Sequence, residues 1–299
     1  MTDDCSQCRF CRFLSVFFSL LPAYNLYMKL SYYSDLYIIS ECHRLNGILN
    51  NMPRYRIGMH NGFQSIRVYT GTGSGIIRKE VHENSRDFVS MREKLDQFKK
   101  LTERKKLFDA ELHRRRLTIP ADFKLCRDSS PFTVNAWKQF IPCSNHYENR
   151  NLYIDPYGFN VKSRSEMLVG SALKDIGLEA KYEPLLILRG GRKKTPDYSF
   201  PVPVIDRCFF VEFVGMADDG NYIDSNYGKT DEYMRNGILP NRDLILICGT
   251  ENWLPSLETM KILIASFINS AVFSVYEKSI RIANPYSNQK PPPHGAGAA

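Results

Sequence analysis

Two carboxylates lie within stretches that otherwise have the composition of buried strands. Glu212 is at the centre of CFFVEFVG (208–215), and Asp197 follows Pro196 at the start of PDYSF (196–200). Side chains alternate along a strand, and both alternating sets around Glu212 are apolar, which is typical of a strand covered on both faces of a sheet. An ionised carboxylate buried there loses its hydration, which costs several kcal/mol unless a positive partner compensates. We therefore expect Asp197 and Glu212, on adjacent strands, to share one divalent cation.

The segments around these acids alternate between helical and strand-like patterns. Apolar residues recur at helical spacing from Ser163 to Ile176, and Gly177 is typical of a helix end. Pro201 and Pro203 are predicted to end the strand in PDYSF, because proline cannot donate to a sheet ladder. The other elements are strands in YEPLLIL (182–188), VEFVG (211–215) and DLILICG (243–249), and helices at about 222–235 and 256–271. This order, α-β-β-β-α-β-α, predicts the α/β class, with a mixed sheet covered by helices.

The chain upstream of residue 129 has a different pattern. SIRVYT and IIRKEV alternate as strands around GTGSG, which predicts a hairpin, and apolar residues at helical spacing between about 84 and 116 predict one or two basic helices. The sequence therefore predicts an N-terminal α+β extension before the α/β core. The expected divisions are a hydrophobic N-terminal extension outside the folded protein, a basic α+β region, a connection, the α/β domain and a disordered tail: 1–27, 28–128, 129–160, 161–285 and 286–299.

The chain carries a formal net charge of +8 and eight cysteines. Its basic stretches fit a polyanionic partner such as nucleic acid, although a run of charge on a helix is equally typical of a solvated face. The candidates for nucleic-acid contact form two basic clusters: Arg114, Arg115 and Arg116, and Arg192, Lys193 and Lys194. The cysteines lack the spacing of a disulfide framework, which favours a reducing, cytoplasmic setting, and the apolar stretch 13–21 is too short to span a membrane. The sequence has no P-loop and no histidine pair at zinc-ligand spacing, which argues against an ATPase or a zinc enzyme.

Five motifs occur in one order: KSRSE (162–166), YEPLL (182–186), PDYSF (196–200), VEFVGMAD (211–218) and K-x-x-x-Y-x-x-N-G-I (229–238). Together they resemble the PD-(D/E)XK, or restriction-endonuclease-like, nuclease superfamily over about residues 161–285. The resemblance implies an αβββαβ core and a nuclease that hydrolyses phosphodiester bonds in DNA with Mg²⁺ or Mn²⁺. Such an ion neutralises charge on the phosphate and acidifies a water. The resemblance also implies that Asp197 and Glu212 bind the metal, and that Glu166 binds a second ion or a metal-bound water.

The sequence departs from the family pattern at the lysine. The pattern has Lys two residues after the strand glutamate, where this chain has Val214. Either the site is catalytically inactive, or Lys229 on the following helix supplies the charge; the alternative for Lys229 is a solvated surface lysine. Glu166 has an alternative role as well, because Ser163 three residues earlier would form a capping box with it. The alternative function is an inactive nuclease-fold protein that binds nucleic acid or a partner protein in a DNA-processing system.

Overall fold

The computed structural model describes residues 30–71, 75–142 and 153–283, which form two compact units. The boundary between the units falls between Leu125 and Cys126, and the short segment Asp175–Gly177 groups with the first unit. The N-terminal extension expected at 1–27 and the tail expected at 286–299 lie outside the described residues.

Within the described residues, the first unit contains two helices and a three-stranded antiparallel sheet of order β1-β2-β3. Its elements are α1 (Asp35–Asn51), β1 (Arg54–His60), β2 (Phe63–Thr70), β3 (Ile77–His82) and α2 (Phe88–Arg114). The predicted hairpin is present as β2 and β3, and the predicted basic helical region is the single helix α2. Leu95 of α2 packs with Ile66 and Val68 of β2, so one face of the sheet is covered by this helix.

The second unit contains a four-stranded mixed sheet of order β11-β10-β9-β6, in which β10 and β11 are parallel and the other pairs antiparallel. Its elements are α3 (Val134–Gln139), β4 (Tyr153–Ile154), β5 (Asn160–Val161), α4 (Arg164–Asp175), β6 (Lys181–Tyr182), β7 (Leu186–Ile187), β8 (Lys193–Lys194), β9 (Tyr198–Val202), β10 (Arg207–Val214), α5 (Gly220–Arg235), β11 (Leu244–Cys248) and α6 (Leu257–Ala283). Two further two-stranded sheets pair β4 with β5 and β7 with β8. The α/β class expected from the sequence is therefore confirmed.

All eight residues of β10 are buried, as the double-sided apolar pattern predicts. On one face, the ring of Phe209 meets that of Phe267 of α6 edge-on, with centroids 5.1 Å apart. On the other face, Phe210 lies in a cluster with Trp137 of α3 and Tyr233 of α5. Helices therefore cover both faces of the strand that carries Glu212.

Two predicted details of this unit are wrong. Within the stretch expected as a connection, the indole N–H of Trp137 donates to Ser199 Oγ at 3.1 Å inside the core. Pro201 does not end its strand but lies within β9 opposite Cys208. The N–H of Cys208 points away from β9 and donates to Phe132 O. Pro201 and Cys208 therefore exchange no ladder hydrogen bonds, and the missing N–H of the proline costs the sheet nothing. The predicted strand in 182–188 is divided into β6 and β7, because Pro184 cannot donate to the sheet.

The last helix, α6, is longer than predicted. Among the described residues it is the one helix long and apolar enough, by length and composition alone, to cross a membrane, over Leu257–Glu277. Met260, Ile264 and Ile268 recur at four-residue spacing along it and are fully buried. This stripe packs within the unit, whereas Ile262, Leu263 and Phe273 of the same helix are exposed.

A buried aspartate secures the start of β9. Asp155 Oδ1 accepts the N–H groups of Tyr157 and Phe159 at 2.9 and 2.8 Å, and its Oδ2 accepts the Tyr198 hydroxyl at 2.9 Å. Gly170 of α4 lies against this pair: a Cβ atom there would be 2.6 Å from the Tyr198 hydroxyl oxygen and 2.8 Å from Asp155 Oδ2. The hydrogen-bonded pair therefore lies so close to α4 that only glycine fits, and it holds the residue that follows Asp197.

Candidate functional site

Asp197 and Glu212 lie next to each other at the end of the β9–β10 ladder. Tyr198, the first residue of β9, pairs with Val211 of β10, so Asp197 directly precedes the paired strand and Glu212 directly follows its last paired residue. The Phe213 N–H donates to Asp197 Oδ2 at 2.7 Å, which attaches the aspartate side chain to β10. This bond is to the residue next to Glu212, and the charge of Glu212 acts to raise the pKa of Asp197, so the two carboxylates are neighbours. The structure thus brings together the two acids that the sequence predicts as metal ligands.

Two side chains of α5 bind the Glu212 carboxylate. Lys229 Nζ lies 2.7 Å from Oε1 and 2.8 Å from Oε2, and the Tyr233 hydroxyl donates to Oε1 at 2.7 Å. Residues four apart on a helix project from the same face, which is why both reach one carboxylate. The Glu212 side chain is only 8% exposed, so its charge is met by the lysine ammonium rather than by water.

Burial and the charges of neighbouring acids raise the pKa values of both Asp197 and Glu212. Burial raises the pKa of Asp197 well above its ordinary range, and the charges of Glu212 and Glu166 raise it further. Lys229 and the Phe213 N–H oppose this rise in the pKa of Asp197 without cancelling it. Burial also raises the pKa of Glu212, although Lys229 and Tyr233 act in the opposite direction. Clusters of acids with raised pKa values are typical of sites that bind a proton or a cation.

Glu166 has the contacts of a capping residue and also acts electrostatically on the site. Its N–H donates to Ser163 Oγ at 3.1 Å, and its Oε2 accepts the Lys162 N–H at 3.0 Å, which secures the first turn of α4. The Tyr182 hydroxyl donates to the same Oε2 at 2.6 Å. The charge of Glu166 nevertheless contributes to the raised pKa values of the two strand acids. The structural role expected as an alternative is present, and it leaves the second carboxylate oxygen without a capping contact.

The position where the family pattern has lysine is occupied by the buried Val214, which shares the face of Glu212 on β10. The ammonium of Lys229 lies at the glutamate instead. The side chain of Lys229 is 29% exposed, and the surface-lysine alternative does not describe its position. Its catalytic role remains a prediction.

The two basic clusters have different surroundings. Arg192 and Lys194 both pair with Glu232 of α5, at 2.9 and 2.5 Å, whereas Lys193 is exposed. In the first unit, Arg114 and Arg115 both bind the buried carboxylate of Glu111. The Arg115 side chain is only 15% exposed and also pairs with Asp35 at 2.8 Å, while Arg116 is exposed. Arg115 therefore has a clear structural role, and the exposed members of each cluster are better placed to contact phosphate.

Tyr233 and Tyr182 are site residues to which the sequence assigned no role. Each donates a hydroxyl to a site carboxylate, Tyr233 to Glu212 and Tyr182 to Glu166. The four-residue spacing of Lys229 and Tyr233, which puts both on one face of a helix, is the feature of the sequence that could have indicated the role of Tyr233. In the described part of the chain, no group of three or more His, Cys, Asp or Glu side chains is arranged to hold a metal ion.

Comparisons with known proteins do not assign this chain to a family. No protein-family model, no curated protein and no solved structure matches it. The function of the site is therefore argued from its own geometry.

Proposed function

We propose that the second unit is a nuclease of the PD-(D/E)XK type that hydrolyses phosphodiester bonds in DNA with Mg²⁺ or Mn²⁺. Apart from the small β7–β8 sheet, the elements α4, β6, β9, β10, α5 and β11 follow one another in the order α-β-β-β-α-β, which supports the proposal. The observation that carries the proposal is the attachment of Asp197 to β10 beside Glu212, with Lys229 at the glutamate. Two buried acids lower the stability of the folded protein. A metal-dependent hydrolase gains a function from such a pair, because the acids can hold the metal ion.

The donor atoms fit a small divalent cation. Mg²⁺ is commonly held by one or two carboxylates and keeps several waters or substrate phosphate oxygens as its other ligands. Asp197 and Glu212 would supply the two carboxylates, and the uncapped oxygen of Glu166 would accept a hydrogen bond from a water. A dedicated cage of three or more protein ligands is not needed for this type of site. When bound, the ion would supply charge neutralisation at the phosphate and a more acidic water.

The residues of the chain have separate tasks in this proposal. The Phe213 N–H and the Tyr233 hydroxyl hold the carboxylates of Asp197 and Glu212 in fixed orientations. Lys229 neutralises Glu212 in the absence of substrate, and its ammonium is the group that would stabilise negative charge on the phosphate. Val214 contributes no charge, so the helix lysine takes the place of the strand lysine.

The ion pair of Lys229 with Glu212 also favours a second candidate function. Both carboxylate oxygens of Glu212 already have a donor, so the glutamate is neutralised without any metal. This arrangement fits an inactive nuclease fold that binds nucleic acid or a partner protein. The two candidates differ in whether the carboxylates are needed for chemistry.

Cleavage assays separate these functions. Labelled single-stranded and duplex DNA are incubated with the full chain and Mg²⁺ or Mn²⁺, and products are resolved on gels. We expect cleavage that is abolished by Asp197→Asn and by Glu212→Gln. Asp231→Asn is the matched control, because Asp231 lies on α5 in a surface pair with Arg235. A parent chain that cleaves neither substrate with either ion would overturn the nuclease and leave the inactive fold.

A further inference from the structure

The sheet of the first unit has one face covered by α2 and a second face that is basic and aromatic. Alternation along the strands places on this second face residues whose side chains are mostly Arg or aromatic: Arg54 and Arg56 of β1, Phe63, Ser65, Arg67 and Tyr69 of β2, and Arg78, Glu80 and His82 of β3. We refer to these residues as the outer face. They belong to neither of the basic clusters considered above.

The register shows that the outer face is continuous. Arg56 lies opposite Arg67 and Arg54 opposite Tyr69, while on the other side Glu80 pairs with Arg67 and Arg78 with Tyr69. The side chains of the three strands therefore form one surface, with those of β2 in the middle. The guanidinium of Arg56 lies over the Tyr69 ring, 5.8 Å from its centroid, which brings charge and aromatic surface together.

The charge on the outer face is strongly unbalanced. It carries four arginines and a single carboxylate, that of Glu80. Glu80 accepts from Ser65 Oγ at 2.7 Å and pairs with Arg67 at 3.2 Å and Arg78 at 2.5 Å. In the part of the chain that the structure describes, no carboxylate pairs with Arg54 or Arg56, and both side chains are exposed.

The shape of the outer face also suits a flat ligand. Gly58, in the middle of β1, lies opposite Ser65, which is fully buried and donates its hydroxyl to Glu80. A Cβ at residue 58 would approach Arg67 Cζ to 3.1 Å, which means that the glycine gives the arginine room to lie along the sheet. Phe63, 51% exposed, and Tyr69 are at opposite ends of β2, about 20 Å apart at the rise of a strand.

We propose that the outer face binds single-stranded DNA, with bases stacked on Tyr69 and Phe63 and phosphates on the arginines. Duplex DNA would present phosphates to the arginines but keep its bases away from the rings, and an acidic peptide would likewise leave the rings unused. Stacking on aromatic side chains combined with a basic surface is how single strands are bound without sequence preference. The choice of DNA over RNA rests on the proposed nuclease function, while the binding itself requires neither metal nor catalysis.

The test is the binding of the full chain to fluorescent oligothymidylate of about 12 nucleotides, measured by anisotropy in EDTA so that cleavage is absent. Tyr69→Leu should weaken binding about fivefold or more, whereas Tyr69→Phe, which keeps the ring, should bind within about twofold of the parent. Arg56→Glu should weaken binding about tenfold and reduce the salt dependence of the affinity. Lys79→Glu is the matched control, because Lys79 is 65% exposed and its side chain projects from the opposite face.

Glu80→Gln should increase the affinity for DNA, and a loss of folding would not produce such an increase. Removing the single carboxylate of the outer face leaves Arg67 and Arg78 available to phosphate, so we expect tighter binding of oligothymidylate. Equal or tighter binding of duplex of the same length, or parent-like affinity of Tyr69→Leu, would overturn the proposal. Equal effects of Arg56→Glu and Lys79→Glu, or tighter binding of oligouridylate than of oligothymidylate, would overturn it as well. Because every measurement is made in EDTA, a chain that binds but never cleaves leaves this inference standing while the nuclease fails.

Discussion

Lys229 of α5 holds both carboxylate oxygens of Glu212 of β10, with its ammonium 2.7 and 2.8 Å from them. A divalent cation bound to the same glutamate would compete with this ammonium for the same oxygens. An ammonium displaced in this way would be available to the charge of a phosphate. This competition makes metal affinity and cleavage respond differently to removal of the lysine.

Lys229→Met should slow cleavage by about a hundredfold, because the charge near the phosphate is lost. The same variant should bind Mn²⁺ at least as tightly as the parent, because the competing ammonium is absent; calorimetric titration measures this. Arg235→Met is the matched control, since it also removes a cation from a carboxylate pair on α5. Undiminished cleavage by Lys229→Met would refute the role assigned to this lysine.

Restoring lysine on the strand should rescue part of the lost rate. In the double variant Val214→Lys, Lys229→Met, the new ammonium projects from the face of β10 that carries Glu212. We expect single-turnover cleavage faster than that of Lys229→Met alone. Burying a longer charged side chain in place of Val214 carries a folding risk, so a thermal melt accompanies each assay. A folded double variant with no gain in rate would show that the two positions do not serve the same phosphate.

Asp197→Asn should stabilise the metal-free protein at neutral pH. Folding raises the pKa of Asp197 above its ordinary value of 3.8, so between the two values the folded chain binds more protons than the unfolded chain. The free energy of unfolding therefore falls as pH rises through this interval, and the full penalty is present above it. In EDTA at about pH 7 the variant should melt a few degrees above the parent, and the difference should shrink towards about pH 4. A variant that melts below the parent throughout would contradict the assigned electrostatics.

The two roles of Glu166 can be separated by a pair of substitutions. Ser163→Ala removes a cap and should cost about 1 kcal/mol of stability with little effect on cleavage. Glu166→Gln keeps an oxygen for the Lys162 N–H and the Tyr182 hydroxyl but loses its charge, so it should retain stability and lose activity. Denaturant unfolding and initial cleavage rates give both quantities. Equal activity of Glu166→Gln and the parent would leave only the capping role.

Arg207 forms the most buried ion pairs of the second unit, with Asp128 at 2.6 Å and Asp243 at 2.5 Å. The Asp243 side chain is fully buried, so Arg207→Met leaves a carboxylate without one of its donors. The expected loss is about 3–5 kcal/mol in the free energy of unfolding, measured by denaturant titration. Arg192→Met, which breaks an exposed pair with Glu232, should cost no more than about 1 kcal/mol. Similar losses for both variants would contradict this difference.

Local patterns in the sequence are sufficient for several elements of the fold. β10 is buried on both faces, so its sequence is almost continuously apolar. A glycine shortly after α4 and another shortly after α5 indicate where those helices end. The placement of Trp137 could not be predicted, because its contact with Ser199 joins residues far apart in the chain. The continuation of β9 through Pro201 could not be predicted either. It depends on the residue opposite the proline, Cys208, whose N–H bonds to Phe132 and not to β9.

The acids of the candidate site were predictable because carboxylates within apolar strands are rare, whereas the surroundings of the site were less so. Helical spacing puts Lys229 and Tyr233 on one face, but the contact with Glu212 depends on how α5 packs against the sheet. The pairing of Arg192 and Lys194 with Glu232 depends on the same packing. A sequence shows that such side chains are charged without showing which charges already have partners.

Gly170 makes three distant positions interdependent. Because a methyl group there would overlap the hydrogen-bonded pair of Tyr198 and Asp155, replacement of the glycine requires a smaller or differently directed group at position 198 or 155. Distant relatives should therefore retain Gly, Tyr and Asp together or change them together. This correlated triplet does not include the acids and the lysine of the candidate site. It therefore offers a signature by which relatives that have lost those residues can still be detected.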